Sequence, residues 1–497
     1  MIRILFLCVA YIISSLPSHA QDTLRIGTIA LPPSLGDPYQ YSGIPHLWTL
    51  SAVFDGLTRI DKNGALRPWL ATDWEAEDQY TWLISLRKSV EFSNGEEFNA
   101  TAVVNAINYL IDDNTVTGAV APEFKFILTA EIVDNHTVRI ITKIPAPGLP
   151  RVLPLLHIVE PKHWYNLGPK DFAKNPVGTG PYHPTEFSPT QIKFEAVNTS
   201  WRAPKISKLE IIATPDSYSR SQAVITGEID IAMGLGPDEI HSITNNGGKG
   251  LDWRVAAIWA IHFHHNNGSP LDNVSIRQAL NIAINRDTLI ENLLDGRTVP
   301  ANQPGPAVAF GFDPTIPEIE YNPQKARQLL EEAGYQNGFK FVVEGAIGAG
   351  ANDSAVYQQV AQDLANVGVI MEIRTVSVPQ LIRSVIEGQW NGDAFGITYA
   401  TEPTIDVLRP MRNHSCLWYH PWYCDESIMP TIKQAGTTFN PQLALTLRHK
   451  IMQHYRNQWV SLYLYQTVRF AGTTKNVVGF EEVHGLINYE NIYFNNQ

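Results

Sequence analysis

The sequence predicts an α/β fold built on a parallel sheet and divided into more than one domain. Three observations carry this expectation. Strand-like and helix-like segments alternate along the whole chain, with no internal repeat and no low-complexity stretch. Residues 340–400 read strand, helix, strand, helix, strand, and a βαβαβ run makes a parallel sheet with helices packed on it. The chain has 497 residues, more than one hydrophobic core accommodates.

The elements follow in order. Residues 24–29 alternate and read as the first strand. Residues 227–232, Gly-Glu-Ile-Asp-Ile-Ala, read as a helix end running into a strand. Asn322-Pro323 opens a helix, because Asn caps and Pro fits the first helical position. Ala326, Leu329, Leu330 and Ala333 give that helix one apolar face, and Gly334 is placed to end it. Residues 340–344 are a strand, and 354–367 a helix with Val356, Val360, Ala361 and Leu364 on one side. Residues 370–376 are a strand, Leu381, Ile382, Val385 and Ile386 mark a helix, and 394–399 form a third strand. Ligands on such sheets lie outside the carboxyl ends of the strands. That points to the segment after Tyr399.

The N-terminus has the layout of a cleavable secretory signal: Arg3, a short apolar run to Leu16, then Ser18-His19-Ala20 before Gln21. The apolar run is short for a membrane span, which needs about 20 residues. Cys8, preceded by the bulky Leu7, does not suit a lipoprotein site. Beyond Cys8 there are two cysteines, Cys416 and Cys424, and an even pair in an exported protein predicts a disulfide. The net charge of −12 argues against nucleic acid, which wants a basic face.

Several blocks, in order, resemble the extracellular solute-binding proteins of the peptide/nickel class, family 5. They are Val53-Phe54-Asp55-Gly56-Leu57-Thr58 with Pro68 to Glu75; Thr81-Trp82 with Leu86 to Gly95 and Phe98 to Val104; Pro176 to Tyr182; and Pro270 to Ile284. The resemblance implies a two-lobed periplasmic-binding-protein fold with an extra subdomain on lobe I. After a signal peptide at 1–20, lobe I takes 21–55, 170–260 and 468–497, the extra subdomain 56–169, and lobe II 261–467. The chain then crosses between lobes near 258–266 and 465–470, which makes a hinge that closes over a ligand. The resemblance further implies a periplasmic, monomeric component of an ABC importer, with a small-molecule ligand and an inner-membrane ABC permease as partners and no cofactor.

In peptide-binding members of that family an Asp after the third lobe II strand anchors the peptide amine, within Trp-x-Ala-Asp followed by an acidic-Pro pair. Glu402-Pro403 fits the acidic-Pro pair, but Tyr399 stands at the Asp position. Tyr carries no charge at neutral pH, and a buried ammonium needs a charged partner. Ordinary di- and tripeptides are therefore expected to bind poorly. Tyr399 is either a stacking surface for a sugar or flat group, or a packed strand end. Thr398 and Thr401 offer neutral hydrogen bonds. Arg409 and Arg412 offer a bidentate fork to a carboxylate or phosphate, or else structural ion pairs. In the run Trp259 to His265, His262 and His264 share a strand face. Zinc or nickel could use that pair with a further ligand, but two histidines alone are a weak signal and no metal site is assigned. Trp259 and His262 are candidates to line the cleft. By resemblance the loop after the first strand brings backbone to the ligand, at Ser42, Gly43 and Ile44.

The expected ligand is a modified peptide, an opine-like conjugate or an oligosaccharide. The rival reading is an exported hydrolase, but no Gly-x-Ser-x-Gly elbow and no His-Glu-x-x-His occurs. The Gly178-Thr179-Gly180-Pro181 turn lacks the Lys-Ser/Thr of a phosphate loop and reads as backbone shaping.

Overall fold

In a computed structural model, residues 22–40, 43–112, 118–265, 268–347 and 350–495 are described. The signal-like segment 1–20 and Ser42 lie outside the described residues. A ten-stranded mixed sheet runs through the molecule. Its middle is two long antiparallel strands, Lys249–Phe263 and Ser461–Thr473. On one side follow Ile231–Met233, Thr23–Thr28, Lys208–Ala213, Gln191–Ala196 and Tyr182–Phe187. On the other follow Ala394–Ala400, Phe339–Ala346 and Val369–Val376. These two halves are the sheets of lobe I and lobe II.

The long strands pair from Lys249–Thr473 to Arg254–Val468, and again from Ile258–Gln466 to His262–Ser461. Between these stretches residues 255–257 lie opposite Thr467 alone. Such a bulge bends the strand and sharpens its twist, so it marks the crossing. A second register shift follows between Trp259 and Ala260, so the irregular stretch of the first long strand runs from 254 to 260 and overlaps the expected crossing at 258–266.

The run 339–400 folds as its periodicity predicts. Phe339–Ala346 pairs in parallel with Val369–Val376 and with Ala394–Ala400. Helices Asp353–Ala365 and Val378–Glu387 connect them. Helix Pro323–Glu332 starts where Asn322 Oδ1 accepts the Lys325 amide at 2.9 Å. Gly334 follows it at φ 88°, a left-handed conformation that glycine adopts without cost.

The extra subdomain on lobe I is an antiparallel sheet of Ala71–Ala76, Thr81–Leu86, Thr137–Thr142 and Ile127–Asp134, covered by helix Ala100–Ile111. Its Ile84, Val138 and Ile107 share one apolar core with Leu24, Ile26 and Leu209 of lobe I.

Several of the family-like sequence blocks build this frame. Asp55, buried, pairs with Arg202 Nε at 2.9 Å and accepts the Thr179 hydroxyl at 2.8 Å. A Cβ on Gly178 would come within 2.1 Å of the Val53 carbonyl oxygen, so that turn needs glycine for close approach and not for a ligand. Arg277, also buried, donates to the carbonyls of Leu271, Asp272, Gln458 and Trp459. Cys416 and Cys424 are disulfide-bonded. Among the described residues no helix is long and apolar enough to cross a membrane.

Candidate ligand-binding cleft

The strand registers place the carboxyl ends of both half-sheets at the crossing. In lobe I, Met233 pairs with Ala471 while Ile231 pairs with the more distant Thr473. In lobe II, Ala400 pairs with Ala257, inside the bulge. Segments leaving these strand ends thus face one another, which is where open α/β sheets hold ligands.

Three sets of contacts join the lobes there. In the first, Arg409 Nη2 donates to Glu123 Oε1 at 3.1 Å and Arg412 Nη1 pairs with Oε2 at 3.0 Å. Glu123 belongs to the segment 118–124, whose Ala119 amide bonds the Gln40 carbonyl in the loop after the first strand. Arg409 Nη1 donates to the Ala400 carbonyl at 3.2 Å, which fixes the guanidinium at the end of the lobe II strand. In the second set, Arg151 Nε donates to the Thr404 carbonyl at 2.8 Å, and its Nη2 to the carbonyls of Ile405 and Gly64.

The third set is a buried charge network. Arg469 Nη2 meets Glu402 Oε2 at 2.7 Å and its Nη1 meets Glu482 Oε1 at 2.8 Å. Trp253 Nε1 and the Gly485 amide also donate to Glu482. Burial works to raise the Glu402 carboxyl, but Arg469 and His484 overcome it and hold it at about 2. Glu482 is raised instead, by burial first and then by the neighbouring Glu402 charge, against the pull of Arg469. A cavity of about 250 Å³ lies beside this network, between residues 251–255, residues 480–484 and Lys62.

The other sequence-derived candidates are placed as follows. Gly43 and Ile44 are exposed, with Ile44 beside Gly485. Thr398 is half-buried and pairs across the sheet with Trp259. Trp259 is 5% exposed, and its ring meets Tyr357 edge-on at 6.4 Å. Thr401 is fully buried, and its hydroxyl and amide both donate to the Ala256 carbonyl in the bulge.

Tyr399 and His262 are both fully buried. Side chains alternate along a strand, and Tyr399, Ile258 and Ala260 all pack into one apolar core, mostly of lobe II and taking in Ile60. Tyr399 is 0% exposed, and its hydroxyl lies 2.7 Å from Ser461 Oγ. Ser461 Oγ lies 2.9 Å from His262 Nδ1, and His262 Nε2 lies 3.0 Å from the Ile397 carbonyl. A carbonyl only accepts, so Nε2 carries the proton and Nδ1 accepts from Ser461. Tyr399 in turn donates to Ser461. Burial drives the His262 imidazole down to about 3, so the ring is neutral and the chain of bonds is complete. In this conformation neither residue offers surface to a ligand. The side chains on the opposite face of the strand end, Thr398 and Ala400, carry no charge, so position 400 supplies no anchor for an ammonium either.

Sequence reasoning singled out Arg409 and Arg412 but missed Glu123, Arg151 and the Arg469 network. Among the described residues one group has metal-type ligand atoms in reach of one another, Cys416, Cys424 and Glu426, and its sulfurs are committed to the disulfide.

A glutathione-binding protein of Pectobacterium atrosepticum is 30% identical over 354 residues, which span 69% of this chain and 67% of that protein. The periplasmic binding protein DppA from Helicobacter pylori, solved with the peptide STSA, superposes with a TM-score of 0.82 at 20% identity, covering 96% of this chain and 98% of that one. NikA from Brucella suis, solved with Fe(III)-EDTA, gives 0.81 at 22% identity over 95% of this chain and 100% of that one. The model for "Bacterial extracellular solute-binding proteins, family 5 Middle" matches residues 65–415. The chain belongs to the bacterial extracellular solute-binding proteins of family 5.

Proposed function

We propose that this protein captures a small polar ligand bearing at least one carboxylate in the periplasm and delivers it, chemically unchanged, to a membrane ABC permease. The observation that carries the ligand class is the pair Arg409 and Arg412, set at the carboxyl end of a lobe II strand and turned toward a carboxylate of lobe I. Guanidinium forks bind carboxylates with two parallel hydrogen bonds. Modified peptides and opine-like conjugates carry such groups, and they fit better than neutral oligosaccharides. The name of the glutathione-binding relatives supports the same class, since glutathione is a modified peptide with two carboxylates. Gly43, Ile44 and Thr398 border the cleft in this reading, and Tyr399, His262, Trp259 and Thr401 hold its frame.

Ligand touching both lobes favours the closed form by its differential affinity for it. At a hundredfold excess over its Kd it stabilises the fold by about 2.7 kcal/mol. The test is mass spectrometry of whatever the purified protein releases on denaturation, followed by calorimetry with that compound. A carboxylate-bearing compound recovered intact supports the proposal. Conversion of the compound during incubation, or a ligand with no acidic group, overturns it.

A further inference from the structure

The anion site proposed above has an occupant in the protein itself. We propose that Glu123 is a resident stand-in for the ligand carboxylate: it holds Arg409 and Arg412 while the cleft is empty, latches the lobes, and gives up the arginines when a ligand carboxylate arrives. This rests on the reading of Arg409 and Arg412 as the ligand-anion subsite.

The hydrogen-bond count supports the exchange. An arginine presents a two-donor edge, Nε with one Nη, that a carboxylate fills with a parallel pair of bonds. Arg409 spends Nη1 on the Ala400 carbonyl and Nη2 on Glu123. Its Nε is buried and has no hydrogen-bond partner among the described residues. Glu123 therefore fills one of the two donors on that edge. Its second oxygen is drawn off to Arg412 at 3.0 Å. A buried N–H without a partner is costly, so the site as Glu123 leaves it is under-filled. A ligand carboxylate, free of the 118–124 backbone, can take both Nε and Nη2 and improve on the resident group.

The placement supports the latch. Glu123 is flanked by Ala121 and Phe124, which sit in the lobe I core. Arg409 and Arg412 are flanked by Val407 and Met411, which sit in a separate apolar core made mostly of lobe II residues. The Glu123 side chain is 9% exposed, against 18% and 34% for the arginines. The pair is thus shielded enough to act as more than a surface ion pair. The bonds exist only while the lobes are together, so they favour closure without ligand. They also screen the subsite: a compound with no anion has nothing to exchange for Glu123.

Glu123→Gln keeps the shape of the side chain and removes its charge. Spin labels at exposed Glu228 of lobe I and Glu331 of lobe II, in ligand-free protein, report the lobe separation by pulsed dipolar spectroscopy. The latch predicts a short-distance population in wild type that moves to longer distances in Glu123→Gln; identical distributions overturn it. Reduced glutathione is the carboxylate probe for calorimetry. The exchange predicts binding about tenfold tighter in Glu123→Gln. Equal or weaker binding means that Glu123 cooperates with the ligand, and the exchange is wrong. If neither form binds glutathione, nor the compound released from the purified protein, the anion subsite itself falls and the exchange with it. The distance measurement then still decides the latch.

Discussion

Replacing Tyr399 by Phe separates packing from ligand contact at the strand end. The hydroxyl donates to Ser461 Oγ at 2.7 Å inside a core where Tyr399 has no exposed surface. Ser461 keeps its own proton on His262 Nδ1, so the substitution removes one neutral hydrogen bond and leaves one lone pair unfilled. A typical net bond is worth about 1 kcal/mol, and the unfilled acceptor brings the expected loss to about 1–2 kcal/mol. Tyr399→Ala also deletes a buried ring, and aromatic-to-Ala changes in cores cost about 3–5 kcal/mol. Urea unfolding followed by tryptophan fluorescence measures both. Calorimetry with the released ligand, or with glutathione, should give the same Kd for Tyr399→Phe as for wild type. A tenfold weaker Kd at an unchanged urea midpoint would show that the hydroxyl faces the ligand, and the alternation argument would be wrong.

Arg412→Gln removes one charge-assisted bond, worth about 1.5–3 kcal/mol, and should weaken a carboxylate ligand ten- to a hundredfold while also lowering ligand-free stability through the lost pair with Glu123; equal binding by calorimetry counts against the anion subsite. Acid should destabilise the fold through buried neutral histidines: burial lowers His157 and His264 to about 4 and His262 to about 3, so each stabilises fully above its unfolded value near 6.5 and loses that contribution as pH falls toward 3–4. Between pH 7.5 and 5.5 the three together should cost about 4 kcal/mol by proton linkage, and a flat urea midpoint over that window would contradict it. Replacing Cys416 and Cys424 together by Ser should cost about 2.5 kcal/mol for so short a loop, while two alkylatable thiols in native protein would show that no bond exists to lose.

The parts of the fold legible in the sequence are those whose signal is local. The run 339–400 shows its helices and strands because each has one buried face and a period of its own. The disulfide follows from the cysteine count. The cleft chemistry is not local. Glu123 meets Arg409 across 286 positions of chain, and nothing in Ala121-Pro122-Glu123 marks a partner. His262 lies just beyond both register shifts of its strand, the second between Trp259 and Ala260. That leaves His262 inside lobe II, under His414 at 4.5 Å between ring centroids. For Tyr399 the sequence leaves a stacking surface and a packed strand end both open, and in the structure its ring is packed in a core.

On the proposed function, that strand end would couple recognition to closure. Tyr399 is pinned in a core mostly of lobe II through Ser461. Two residues on, Thr401 donates twice to the Ala256 carbonyl in the bulge, and Glu402 is held by Arg469 of the second long strand. Arg409 then returns to the Ala400 carbonyl. The segment 399–409 is thus bonded at one end to lobe II and along its length to both crossing strands. On the proposed function, a rotation about the bulge would carry Arg409, and with it Arg412, toward or away from lobe I. On that proposal, a ligand carboxylate held by those arginines against lobe I would act on the hinge directly. Its binding energy enters the open–closed equilibrium to the extent that the closed form alone completes its contacts.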